Sequence, residues 1–91
     1  ILEVDAFARF SALRRLRKQI AEEEGIPAYA VFTDAELAEI AKLSVLTIDA
    51  MKKISGIGKK KIEKYGESFI QFENVLADET NGAFDGADNK S

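Results

Sequence analysis

The stretch Met51-Lys52-Lys53-Ile54-Ser55-Gly56-Ile57-Gly58-Lys59-Lys60-Lys61-Ile62 carries the residue types best suited to holding an anion. Two segments with helical spacing flank a Gly-x-Gly turn, and the second opens with three lysines. At the start of a helix the first N–H groups lack intrahelical partners and the peptide dipoles favour negative charge. Glycine lets a phosphate come close to that backbone. Lys52, Lys53, Lys59, Lys60, Lys61 and Lys64 add charge around Gly56 and Gly58, so residues 51–64 hold six lysines against one glutamate, a net +5. Such a helix-hairpin-helix arrangement suits a sequence-independent grip on a nucleic-acid backbone. The alternative is a plain glycine turn whose lysines face solvent, and a lone Gly-x-Gly does not separate the two. A nucleotide P-loop does not fit, because its G-x-x-x-x-G-K-[ST] pattern needs widely spaced glycines and a hydroxyl after the lysine. Here a single residue separates Gly56 from Gly58, and Lys60 follows Lys59.

A second basic group comprises Arg14, Arg15, Arg17 and Lys18. Arg14, Arg17 and Lys18 stand three and four apart, so on a helix they share one flank and could track phosphates. A solvated helix face is the ordinary alternative. Tyr29 follows Pro27 in a turn-like segment, where an exposed ring could stack on an unpaired base; the alternative is a tyrosine at the rim of the core. Phe7, Phe10, Phe32, Phe69 and Phe72 are expected in the core.

Catalysis has little to start from. The chain has no cysteine and no histidine, which removes disulfides, Cys/His zinc sites, thiol nucleophiles and imidazole-dependent triads. Asp34 and Glu36 are explained by helix capping, and Glu22, Glu23 and Glu24 by a solvated helix end. No catalytic residue, metal ligand or cofactor is therefore assigned, and the domain is expected to work by binding rather than turnover.

The elements that must position these groups are helices. Residues 2–24 contain no Gly or Pro, and Phe10, Leu13, Leu16 and Ile20 recur at helical spacing, widened by Phe7 and Ala21. Gly25 is a stop signal, although three preceding acids oppose the dipole and should fray that end. Residues 26–32 are expected to form one helical turn packed into the core. Thr33 and Glu36 have capping-box spacing ahead of a helix from Asp34 to Leu43 carrying Leu37, Ile40 and Ala41. Ser44 or Thr47 can cap a shorter helix with Ile48, Met51 and Ile54. A last helix starts near Lys59 and carries Ile62, Tyr65, Phe69, Phe72 and Leu76. Gly66 inside it marks either a close approach of another backbone or a helix break. The prediction is all-α: a small orthogonal bundle of about five helices, one of them a single turn, with the hairpin at Gly56–Gly58.

The 91 residues, 46% of them hydrophobic and 32% charged, suit one soluble domain with one core. We assign residues 1–77 to the helical domain and residues 78–91 to a disordered acidic tail. Net charge is −3, but its distribution is uneven: residues 67–91 hold one lysine against six acids, a net −5. A start at Ile1 suggests an excised domain. No apolar run approaches the roughly 20 residues of a membrane span, and no signal peptide is visible.

Three blocks in order carry a family resemblance: Leu13-Arg14-Arg15-Leu16-Arg17 with Ile20-Ala21; Ile26-Pro27-Ala28-Tyr29-Ala30-Val31-Phe32-Thr33-Asp34 with Leu37; and Ile54-Ser55-Gly56-Ile57-Gly58 followed by Lys61, Lys64-Tyr65-Gly66 and Phe69. Together they resemble the HRDC domain found at the C-terminus of RecQ-type DNA helicases and in RNase D, over residues 5–76. Lys64-Tyr65-Gly66 is more similar to the helicases. The resemblance implies a compact helical bundle joined to a motor that lies elsewhere, with any ATP and Mg confined to that helicase core. It implies an auxiliary role on single-stranded or branched DNA, with Tyr29 matching an aromatic that contacts single strands in some members. A monomer inside the cell, in cytoplasm or nucleoid if bacterial, is expected. The alternatives are a protein-interaction module docking on the helicase core or a partner, and the corresponding domain of an RNase D-type exonuclease. The acidic tail departs from what DNA binding would favour.

Overall fold

The structure, a computed structural model, describes residues 4–76. Helix α1 (Val4–Glu24) is the longest element, and it buries Ala12, Leu13, Arg17 and Ala21, with Phe10, Leu16 and Ile20 half-buried beside them. Leu13, Arg17 and Ala21 recur every fourth residue and form the inward line. Phe7 lies about 120° around the helix from Leu13, at about 100° per residue, and it is 60% exposed instead of joining the core. The expected phenylalanine core is otherwise graded. Phe32 and Phe69 are fully buried, while Phe10 and Phe72 pack half-buried at its edge.

α1 ends in a Schellman arrangement. Gly25 adopts φ 68°, its N–H bonds the Glu22 carbonyl at 3.3 Å, and the Ile26 N–H bonds the Ala21 carbonyl at 3.0 Å. The end expected to fray is instead tied down, because the Tyr65 hydroxyl donates to Glu24 Oε1 at 2.8 Å. The single turn α2 (Ala28–Val31) follows Pro27, and it is closed by the extended backbone of Phe32. Val31 and Phe32 turn fully into the core.

α3 (Asp34–Lys42) starts with the expected capping box. Glu36 N–H donates to Thr33 Oγ1 at 3.1 Å, and Thr33 N–H donates to Glu36 Oε1 at 2.8 Å. Leu37, Ile40 and Ala41 form its buried face against α1. α4 (Ile48–Lys52) is capped by Thr47, not Ser44, through a 3.0 Å bond from the Ala50 N–H. Its Met51 is fully buried.

The last helix opens as α5 (Lys59–Lys61), widens into a π-helical turn (Ile62–Gly66) and returns to α-helix over 67–76. Gly66 therefore does not break it. A Cβ at Gly66 would stand 2.9 Å from Ile48 Cδ1, so the close neighbour is an α4 side chain and not the backbone expected from sequence. Phe32 meets Phe69 edge-on at 5.0 Å between centroids and Tyr65 at 6.1 Å, joining the last helix to the α2–α3 junction. No strand occurs among the described residues. The tail assigned to residues 78–91 lies outside them. No described helix is long and apolar enough to cross a membrane.

Candidate nucleic-acid interface

Two basic regions emerge, one on α1–α2 and one at the glycine turn. On the first, α2 turns Val31 inward and leaves Tyr29 outward, 68% exposed. Its chain neighbour Ala28 lines, with Ser11, Arg14, Arg15, Arg17 and Lys18, a groove of about 370 Å³. Arg14, Arg15 and Lys18 are exposed. Arg14 also rests over the Phe10 ring, 5.8 Å from its centroid, which orients the guanidinium without neutralising it.

Arg17 is a correction to the expected basic flank. It lies about 60° nearer the core than Arg14 and is only 7% exposed. Its Nη1 donates to the Phe32 carbonyl at 2.9 Å, and its Nη2 meets Asp34 Oδ1 at 2.8 Å. Its Nε is buried without a partner. The guanidinium thus has a protein ligand on two sides before any phosphate arrives.

At the second region Gly56 adopts φ 94°, a conformation that L side chains rarely take, and the turn is closed by Ile57 N–H to the Ile54 carbonyl at 3.3 Å. Ile57 is buried and anchors the turn, while Gly58 stands at the N-cap of α5 with open space where its Cβ would be and no side chain capping the helix. Lys52, Lys53, Lys59 and Lys60 are exposed and make no ion pair among the described residues. Lys61 and Lys64 differ. Lys61 Nζ lies 3.2 Å from Glu36 Oε1 and 5.9 Å from the Phe32 centroid. Lys64 Nζ lies 3.3 Å from Glu24 Oε1 and 5.4 Å from the Tyr65 centroid.

The Glu24–Lys64–Tyr65 cluster shifts all three groups. The Tyr65 hydroxyl, and after it Lys64, holds the Glu24 carboxyl below the ordinary glutamate value. Glu24 in turn raises the Lys64 ammonium, and burial pushes the Tyr65 phenol up, reinforced by the bond to Glu24.

The sequence model of the HRDC domain matches residues 6–72, a span that includes every residue of both basic regions. The chain belongs to the HRDC domain family. It is 49% identical over 67 residues to the ATP-dependent DNA helicase RecQ of Pasteurella multocida (strain Pm70), covering 74% of this chain and 10% of that protein. It is 40% identical over 62 residues to the same-named helicase of Bacillus subtilis (strain 168), covering 68% and 10%. Against the ATP-dependent DNA helicase UvrD2 of Mycobacterium tuberculosis (strain ATCC 25618 / H37Rv) the identity is 42% over 59 residues, covering 65% and 8%. The chain thus spans about a tenth of the length of the curated relatives it matches.

Within this HRDC domain Arg14 and Lys18 line one groove with Ala28, the chain neighbour of Tyr29, and Lys52, Lys53, Gly56, Gly58, Lys59 and Lys60 lie at the glycine turn. It turns Arg17, Lys61 and Lys64 toward protein partners. The sequence did not reveal Glu36 and Glu24 as those partners. Glu36 was accounted for by its capping box, yet Oε1 also receives Lys61, and Oε2 faces Gly56, 3.5 Å from where a Cβ would stand. Arg9 was also missed; it ties the start of α1 to the last helix through Glu73 at 3.0 Å and to the Leu43 carbonyl at 2.6 Å.

Proposed function

We propose that this HRDC domain is an auxiliary nucleic-acid-binding module of a RecQ-type DNA helicase, holding single-stranded or branched DNA and so influencing substrate choice. The observation that carries this reading is Tyr29, exposed and one residue from Ala28, which lines a groove with three solvent-facing cations. Arg14, Arg15 and Lys18 supply charge for successive phosphates, and the Tyr29 ring offers a face for one unpaired base. The glycine turn offers a separate backbone contact through Lys52, Lys53, Lys59 and Lys60. The helicase part of the proposal rests on the printed names of the relatives, and ATP and Mg belong to the motor of such a parent. A protein-docking module would be favoured by neutral or acidic surroundings at Tyr29 and Gly56. The groove at Ala28 is lined by four cations and no acid, which supports nucleic acid on that side, whereas at the glycine turn Lys52 and Lys59 share a pocket with Glu63 and Glu67.

The test is an anisotropy titration of a labelled oligo-dT across a salt series. Affinity should fall with rising salt, with a slope of about −0.7 per phosphate contact on a single strand. Tyr29→Ala should cost about 1–3 kcal/mol on the single strand and less on a duplex. No binding, or an equal loss on both DNAs, removes this reading.

A further inference from the structure

We propose that Arg17 is a positioning residue for Tyr29, and not a phosphate contact, although it lines the same groove as Arg14, Arg15 and Lys18. The proposal rests on the DNA-binding reading above. α2 is a single turn, too short to hold its own orientation by helical hydrogen bonds. What fixes it is its two ends. Pro27 sets the entry, with the Ala30 N–H bonded to the Pro27 carbonyl at 3.0 Å. The exit is the Phe32 carbonyl, which receives Arg17 Nη1 at 2.9 Å inside the molecule. The same guanidinium reaches Asp34 Oδ1 in the first turn of α3 at 2.8 Å. One planar fork therefore clamps the α2–α3 junction to α1 from three residues beyond Tyr29. An ammonium cannot reproduce that fork, since it presents a point charge on a flexible stem.

The two possible roles separate experimentally. The chain has two tyrosines and no tryptophan, so in a Tyr65→Phe background Tyr29 is the sole tyrosine and reports on itself. Three quantities are measured there: tyrosine anisotropy without DNA, quenching by unlabelled oligo-dT, and the salt slope of binding. Arg17→Met and Arg17→Lys should both lower the free anisotropy, reduce the quenching and weaken single-strand binding about 5-fold or more, with the salt slope unchanged. A phosphate contact predicts the reverse pattern. The slope would shrink by about 0.7 in Arg17→Met, Arg17→Lys would restore binding, and anisotropy would not move; that result overturns the proposal.

Unchanged values in all three quantities also overturn it. If the Arg17 variants lose their helical circular dichroism, Asp34→Asn decides. Asp34 is exposed, and its substitution weakens one arm of the clamp from an ion pair to a neutral hydrogen bond and removes a negative charge that repels DNA. Lower anisotropy and weaker quenching despite the gain in net positive charge support positioning, and tighter binding with unchanged anisotropy opposes it. If the Tyr65→Phe protein fails to bind oligo-dT where the unsubstituted chain does, the quenching and slope are measured on the unsubstituted background. If neither binds, the DNA reading fails, while positioning still stands or falls on the free anisotropy.

Discussion

The groove side and the glycine-turn side of this HRDC domain are both rich in cations, and both direct part of that charge inward. On the groove side, Arg14, Arg15 and Lys18 stay in solvent while Arg17 clamps the backbone of Phe32. On the turn side, Lys61 is half-buried against Glu36, while Lys64 pairs with Glu24 from an exposed position and four further lysines make no ion pair among the described residues. The difference lies in the aromatic. The groove presents Tyr29 outward, whereas the aromatics near the turn, Phe32 and Tyr65, are buried beneath its lysines. A single strand has unpaired bases to stack and a duplex does not. On the DNA-binding reading proposed above, the groove side is the one that would tell them apart, and the turn would hold only a backbone.

The two sides share one residue. Phe32 gives its carbonyl to Arg17 and its ring to Lys61, Tyr65 and Phe69. The largest expected effect is therefore Phe32→Ala. Truncating this fully buried ring should cost about 3–5 kcal/mol, much of the stability of a domain this small. Urea unfolding followed by far-UV circular dichroism would show it. A loss under about 1 kcal/mol would mean that the two regions do not depend on a common anchor.

A smaller change should sharpen the comparison from the turn side. Glu36→Gln keeps a side chain able to complete the capping box and removes the charge that engages Lys61. We expect a stability loss of about 1 kcal/mol. The salt dependence of DNA binding should become steeper, as a fifth lysine is released on the turn side. A salt slope identical to the unsubstituted domain would show that Lys61 is either still held or out of reach of DNA.

The smallest effect concerns the Glu24 clasp and depends on pH. Glu24 has a depressed carboxyl pKa in the folded chain, so its contribution is present above the unfolded glutamate value and disappears as pH falls through the folded one. Tyr65 and Lys64 are both raised, so their contribution is present below their ordinary values and is lost as pH rises past them. Tyr65→Phe should thus be less stable than the unsubstituted domain between those limits, and the gap in Tm should close on acidification. A gap that stays constant down through the carboxylate range would show that the hydroxyl does not act through Glu24.

Much of the frame was legible because its signals are local. Gly25 as a stop, Thr33–Glu36 as a capping box and the turn at Gly56 all involve residues within a few positions of each other, where geometry follows from spacing. Exposure of Tyr29 was legible as one of two alternatives, since a proline-led single turn can show only part of its surface to the core. What escaped was non-local. Tyr65 finds Glu24 across 41 residues and Lys61 finds Glu36 across 25, and no spacing rule links them. Arg17 was misplaced for a subtler reason: an arginine three residues from Arg14 sits only about 60° away around the helix, enough to cross from solvent to interior. Phe7 erred the other way, because it falls on the line of Arg14 and Lys18 and not on that of Leu13.

The π-helical turn at Ile62–Gly66 sets the phase of the last helix. A π turn accommodates one residue more than an α turn, and each residue of α-helix advances the azimuth by about 100°. Deleting one residue between 62 and 66 would close the π turn to an α turn and leave 67–76 in phase with Lys59–Lys61. Phe69 would keep its place on Phe32, and Glu73 on Arg9. The lysines at one end and the aromatic anchors at the other are thus held in phase by a turn that absorbs one residue.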